Sequence, residues 1–157
     1  MKIQKSTRHS KITGDFAEHL TLYWLSKYGF ECAKVDHTGI DLIARNPHTK
    51  ELMGVSVKGR SRKDGRDGEG LLIRNETFPK VDAACKAFVC KPYFALVIDE
   101  KDIIKVFIMN KETLLKYSPI GKTNITWKMT KVWTEKYAKD KEIMSIEFCH
   151  KAINWWK

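Results

Sequence analysis

The sequence predicts an α/β domain with a central mixed β-sheet flanked by helices. Stretches of helical spacing and stretches of period-two alternation follow one another as helix, strands, helix, strands, the order expected when helices cover a sheet. The 157 residues amount to one ordinary domain, and an apolar share of 43% is enough for a sizeable core. No internal repeat, low-complexity tract or linker divides the chain, so residues 1–157 read as a single domain.

The elements are taken in order. Met1 to Ser10 carries Lys2, Lys5, Arg8 and His9 with little apolar content, and reads as a flexible basic arm. Thr13 to Gly29 is the first helix: Thr13 is an N-cap residue, Asp15 suits the positive end of the dipole, and Gly29 is a stop. Phe16, Leu20, Tyr23 and Trp24 form its apolar stripe, and Glu18 lies on a flank with Leu22 and Leu25. Phe30 to Val35 is a strand leading into the turn Asp36-His37-Thr38-Gly39. Ile40 to Ala44 and the Val-rich Leu52 to Lys58 are two strands joined by turn residues, Asn46 to Lys50.

Gly59 to Gly70, with four glycines and several charges, reads as a mobile loop. Leu71 to Arg74 is a short strand. A second helix begins near Pro79 and buries Val81, Ala84, Cys85 and Phe88. Tyr93 to Ile98 and Ile103 to Met109 form a hairpin, and Asn110 caps a short helix through Leu115. Pro119 and Gly121 break the chain. Ile125 to Thr130, Val132 to Lys139 and Ile143 to Phe148 then read as strand, helix and strand. The adjacent Trp155 and Trp156 near the end either pack on the core or form a contact surface.

Lys and Arg number 29 against 19 Asp and Glu, a formal charge of +10. That excess favours a polyanionic partner, nucleic acid first, although solubility alone accounts for many basic surfaces. No apolar run approaches a membrane span, and the first residues lack the apolar core of a signal peptide. The expectation is a cytoplasmic protein that does not enter a membrane. Cys32, Cys85, Cys90 and Cys149 form no metal-binding spacing and read as reduced, mostly buried thiols.

The chemistry gathers on the two adjacent strands. Alternation places Ile40 and Leu42 on one face and Asp41 on the other, and in the next strand sets Ser56 and Lys58 opposite Val55 and Val57. If the buried faces match, Asp41, Ser56 and Lys58 converge on one side of the hairpin. Asp36 is either a turn former or a supporting acid. Arg60, Arg62, Lys63 and Arg66 either close over a phosphate backbone or form a solvated connection.

From Lys11 to about Arg62 this arrangement resembles the PD-(D/E)XK nuclease superfamily, nearest to the archaeal Holliday-junction resolvase branch and related small endonucleases. Gly14 precedes the helix Glu18, Gly29-Phe30 ends the helix, Thr38-Gly39 precedes the strand Asp41, and Ser56-Val57-Lys58 stands where that branch has acid-x-Lys. The resemblance implies a restriction-endonuclease-like fold and DNA cleavage dependent on Mg²⁺ or Mn²⁺. It implies Asp41 and the Val57 carbonyl as metal ligands, Glu18 as an outer ligand or holder of metal-bound water, and Lys58 as the group that orients water and balances charge. Many relatives act as dimers, so a homodimer is compatible with it.

Ser56 departs from the pattern, because a neutral hydroxyl replaces a carboxylate. Three outcomes stay open. Glu18 or Asp36 supplies the missing charge, Ser56 acts through water in a one-metal site, or catalysis is lost and a nucleic-acid surface is kept. A metal-dependent endonuclease, an inactive nucleic-acid-binding module and a small interaction protein are therefore the candidate functions.

Overall fold

The computed structural model describes residues 5–63, 65, 66 and 68–151. Residues 1–4 of the expected arm and the Trp155–Trp156 pair lie outside the described residues. In chain order the elements are α1 (His9–Lys27), β1 (Glu31–His37), β2 (Ile40–Arg45), β3 (Leu52–Ser61), β4 (Leu71–Arg74) and α2 (Thr77–Ala87), followed by β5 (Lys91–Glu100), β6 (Ile103–Asn110), α3 (Lys111–Tyr117), β7 (Asn124–Trp127), α4 (Lys131–Lys139) and β8 (Met144–Cys149).

Six strands form one mixed sheet in the order β1-β2-β3-β5-β6-β8, and β4 pairs with β7 in a separate two-stranded sheet. Within the large sheet β3 and β5 run parallel, from Met53↔Lys91 to Ser61↔Asp99, and the other neighbours run antiparallel. The connection from β3 to β5 passes through β4 and α2. Helices cover the sheet, as the alternating pattern predicts.

The central strands are covered on both sides, which explains their nearly continuous apolar runs. Val55, Val57, Ala95, Val97 and Val106 pack with Ala17 and Leu25 of α1. Phe94, Leu96, Ile98, Phe107 and Met109 pack on the opposite face with Phe78 and Val81 of α2 and with Trp127 and Tyr137. Trp127 and Tyr137 stack at 3.8 Å between ring centroids and 19° between planes, filling the space under β7 and α4.

The hairpin of β5 and β6 and the elements after it follow the sequence pattern closely. The Asn110 side chain caps α3 by accepting the Thr113 N–H at 2.8 Å. All four cysteines are free thiols, and burial pushes Cys85 up to about 12, which makes it inert at neutral pH.

Five expectations about the elements need correction. Helix α1 starts at His9, so Thr13 lies inside it and donates its hydroxyl back to the His9 carbonyl instead of capping. Its buried stripe is Ala17, Thr21 and Leu25, whereas Phe16 and Tyr23 are exposed. The reason is closeness: a Cβ at Gly59 would lie 2.8 Å from the Ala17 Cβ and 2.9 Å from the Thr13 carbonyl oxygen, so only small residues fit between α1 and β3. In α2 it is Phe78 that is buried, while Phe88 lies past the helix end and is exposed.

Gly59 to Ser61 are not loop but the end of β3, paired in register with Val97 to Asp99. Asp36 and His37 are likewise strand, and the turn shrinks to Thr38 and Gly39, where Gly39 adopts φ +109°.

Candidate active site

Two irregularities in the sheet shape the site. The β1–β2 register shifts between Lys34↔Leu42 and His37↔Ile40, a bulge that lies across from Asp41. The β2–β3 ladder runs from Arg45↔Leu52 to Leu42↔Val55 and stops there. Ile40 consequently packs in the cluster on the α2 side, while Leu42 packs in the cluster against α1. The expected shared face of Ile40 and Leu42 is therefore broken at Asp41. Bulges of this kind redirect a side chain.

The Asp41 carboxylate accepts the Val57 N–H at 2.6 Å, beyond the last ladder pair. Burial pushes its pKa above the usual carboxylate range, and the negative charge of Glu18 adds to that. The Val57 N–H and the positive charges of Lys58 and Lys34 pull the other way. Asp41, Glu18, Lys58 and Lys34 thus form one electrostatic cluster, drawn from β2, α1, β3 and β1. Glu18 is 22% exposed and pairs with Lys34 at 2.7 Å, the lysine being raised chiefly by that hydrogen bond.

The remaining sequence-predicted residues divide. Ser56 is 1% exposed and in register with the core residue Phe94, so it adds no charge to the cluster. Asp36 is exposed on β1, and the charges acting on Asp41 are those of Lys58, Glu18 and Lys34. Thr38 and Gly39 make the turn before β2; a Cβ at Gly39 would collide with the Lys80 carbonyl of α2, so glycine is required for both conformation and space.

Among the loop cations, Arg62 is turned inward. Its side chain is 7% exposed, pairs with Glu100 at 3.9 Å and Glu69 at 3.7 Å, and donates to the Glu69 carbonyl. It serves the loop's architecture, contrary to the expectation of a phosphate contact. Arg60, Lys63 and Arg66 are exposed, with Arg66 facing Glu69 at 3.7 Å.

Arg60 and Lys63 also line a concavity of about 260 Å³ with Lys5, His9 and the hydroxyl residues of the α1 start, and none of the described residues that line it is a carboxylate. It adjoins the cluster through Gly59, the residue after Lys58. Lys5 closes one side, donating to the Ser61 carbonyl, the Ser61 hydroxyl and the Arg62 carbonyl, each at 2.8 Å. A larger concavity at the other end of β3 and β5 holds Glu51 and Asp82, but Lys91 and Lys111 pair with those acids.

Sequence reading missed Lys34. Counting back from the short turn before Ile40 does not reach it: an unbroken register from His37↔Ile40 sets Val35 opposite Leu42, and only the bulge brings Lys34 there, beside Asp41.

Neither a family model nor a curated protein sequence matches the chain. Among solved structures the chain is similar to Hjc of Archaeoglobus fulgidus, a Holliday junction resolvase from an archaeal hyperthermophile. The likeness has a TM-score of 0.55 at 17% identity and covers 78% of this chain and 88% of that one. The two share a fold. In this chain that fold is a mixed α/β one whose six-stranded sheet is flanked by helices, as the sequence pattern implies. No helix among the described residues is long and apolar enough to cross a membrane.

For a metal, the described residues offer no group of three or more His, Cys, Asp or Glu side chains clustered to hold one. What the cluster does offer is a pair of hard oxygen donors, Asp41 and Glu18, with the Glu18 charge among those that act on Asp41. That set fits Mg²⁺, which keeps several waters and takes one or two carboxylates. It does not fit a dedicated zinc site, which wants three or four N, S or O ligands.

Proposed function

We propose that this chain is a metal-dependent endonuclease acting on DNA phosphodiester bonds. The observation that carries the reading is the setting of Asp41: hydrogen-bonded to the Val57 N–H, and under the charges of Glu18, Lys58 and Lys34. A half-buried carboxylate held by the main chain at a sheet irregularity, with the charges of a second carboxylate and of amines acting on it, has the composition of a phosphoryl-transfer site. The shared fold with a Holliday junction resolvase supports the same class of chemistry.

In this reading Asp41 and Glu18, with the Val57 carbonyl, hold Mg²⁺ or Mn²⁺. Such an ion, when bound, polarises the phosphate and lowers the pKa of a coordinated water. Lys58 places a positive charge where the phosphate gains negative charge, and orients the attacking water. The Val57 N–H fixes the Asp41 carboxylate in advance. Arg60 and Lys63, at the concavity they share with Lys5 and His9, hold a flanking backbone phosphate of the DNA by charge.

A second reading has its own support. Ser56 supplies no carboxylate, and the cluster carries two acids against two lysines. A site of balanced charge suits a nuclease-fold module that holds DNA without cutting it. Incubating the full chain with end-labelled four-way junction, duplex and single-stranded DNA, with Mg²⁺, Mn²⁺ or chelator, separates the two. Metal-dependent products support the endonuclease; salt-sensitive binding with no product under any condition supports the binding module.

A further inference from the structure

We infer that Lys34 is a resident counter-ion for the carboxylate pair, and that a dication must displace it from Glu18 to be held by both acids. This rests on the reading of Asp41 and Glu18 as metal-holding residues.

The Lys34 ammonium lies 2.7 Å from a Glu18 carboxylate oxygen, and its charge also acts on Asp41. It therefore bears on the two acids that a shared cation would bridge. With Lys58 acting on Asp41 as well, the two negative charges are already matched by two positive ones.

Lys34 is also placed to leave. It sits on β1, the outermost strand on its side of the sheet, immediately before the bulge. Its side chain is 42% exposed on a flexible four-carbon stem, so the ammonium can swing into water while a cation takes its place beside Glu18, itself 22% exposed. Exposed pairs of this kind are weak, which is what a displaceable occupant requires. Linkage then demands reciprocity: what Lys34 takes from dication affinity, a bound dication takes from the Lys34–Glu18 pair.

The test is Mn²⁺ binding to the full chain by calorimetry at low ionic strength, for wild type, Lys34→Gln, Lys34→Arg and Asp41→Asn, with circular dichroism confirming that each folds. Lys34→Gln is expected to bind Mn²⁺ about fivefold more tightly, and Lys34→Arg about as wild type does. Saturation of the wild type with diamagnetic Mg²⁺ is expected to shift the Lys34 side-chain NMR signals toward those of a free lysine. Equal or weaker binding by Lys34→Gln, when wild-type binding is lost in Asp41→Asn, overturns this inference and leaves the metal reading intact. No measurable Mn²⁺ binding by wild type or Lys34→Gln, or wild-type binding that Asp41→Asn leaves unchanged, overturns the metal reading and the inference with it.

Discussion

Asp41 and Val57 meet where the β2–β3 ladder ends: the Asp41 carboxylate accepts the Val57 N–H at 2.6 Å, taking up a main-chain donor two residues past Val55 of the last residue pair. One contact thus ends the pairing and fixes an acid at the lip of the sheet. Its counterpart on the other side of Asp41 is the β1 bulge after Lys34. The candidate site is built from two departures from regular sheet geometry, with α1 bringing Glu18 against them.

The pH dependence of stability follows from Asp41. Burial raises its pKa, so the folded chain holds this proton more tightly than the unfolded chain. Between the ordinary carboxylate value and the raised folded value the native state binds more protons, so the Asp41 contribution falls as pH rises through that window. Asp41→Asn removes the cost and is expected to raise Tm at pH 7, with the gain vanishing below the ordinary carboxylate range. Thermal unfolding of both proteins across pH 3 to 8, where reversible, checks it.

Arg62 and its exposed neighbours are expected to separate by assay. Glu100 is buried and faces Arg62 at 3.9 Å, with Lys105 also at 3.9 Å. Arg62→Ala is expected to cost about 2 kcal/mol in urea unfolding, softened by Lys105. Arg60→Ala and Lys63→Ala are expected to leave the unfolding midpoint unchanged. Each is expected to weaken DNA binding and to reduce the slope of log K against log salt by about 1, measured by fluorescence anisotropy.

Two glycines hold the site in place from behind. Gly39→Ala meets both a positive φ and the Lys80 carbonyl, and is expected to cost about 3 kcal/mol or prevent folding. Gly59→Ala drives a methyl group against Ala17 and the Thr13 carbonyl, forcing α1 away from β3. Its expected signature is about 1–3 kcal/mol of destabilisation with changed NMR shifts along α1, Glu18 included, which chemical denaturation and amide spectra report.

Much of this could be read from residue order alone, for physical reasons that differ by element. The strands around Asp41 and Lys58 alternate cleanly and are joined by turn residues, so local chemistry decided them; Asn46 accepts the His48 and Thr49 N–H groups in that turn. The Asn110 cap is equally local. The face of α1 could not be read the same way, because bulky apolar residues suggested Phe16 and Tyr23 while close approach to β3 selected Ala17 and Thr21. Arg62 looked like a loop cation because its partner Glu100 is distant in sequence and joins it only once β3 and β5 pair. Lys34 was passed over because its partner Glu18 belongs to another element, and only the assembled β1, β2 and α1 bring the two together.

The central claim is that Asp41 and Lys58 serve one phosphodiester-cleaving site. It is tested most directly by the rate of Mg²⁺-dependent cleavage of labelled four-way junction and duplex DNA by wild type, Asp41→Asn and Lys58→Ala, with circular dichroism confirming each fold. The account predicts cleavage by the wild type and a loss of about 100-fold or more in each variant with the fold retained. Cleavage at the wild-type rate in both variants would contradict it.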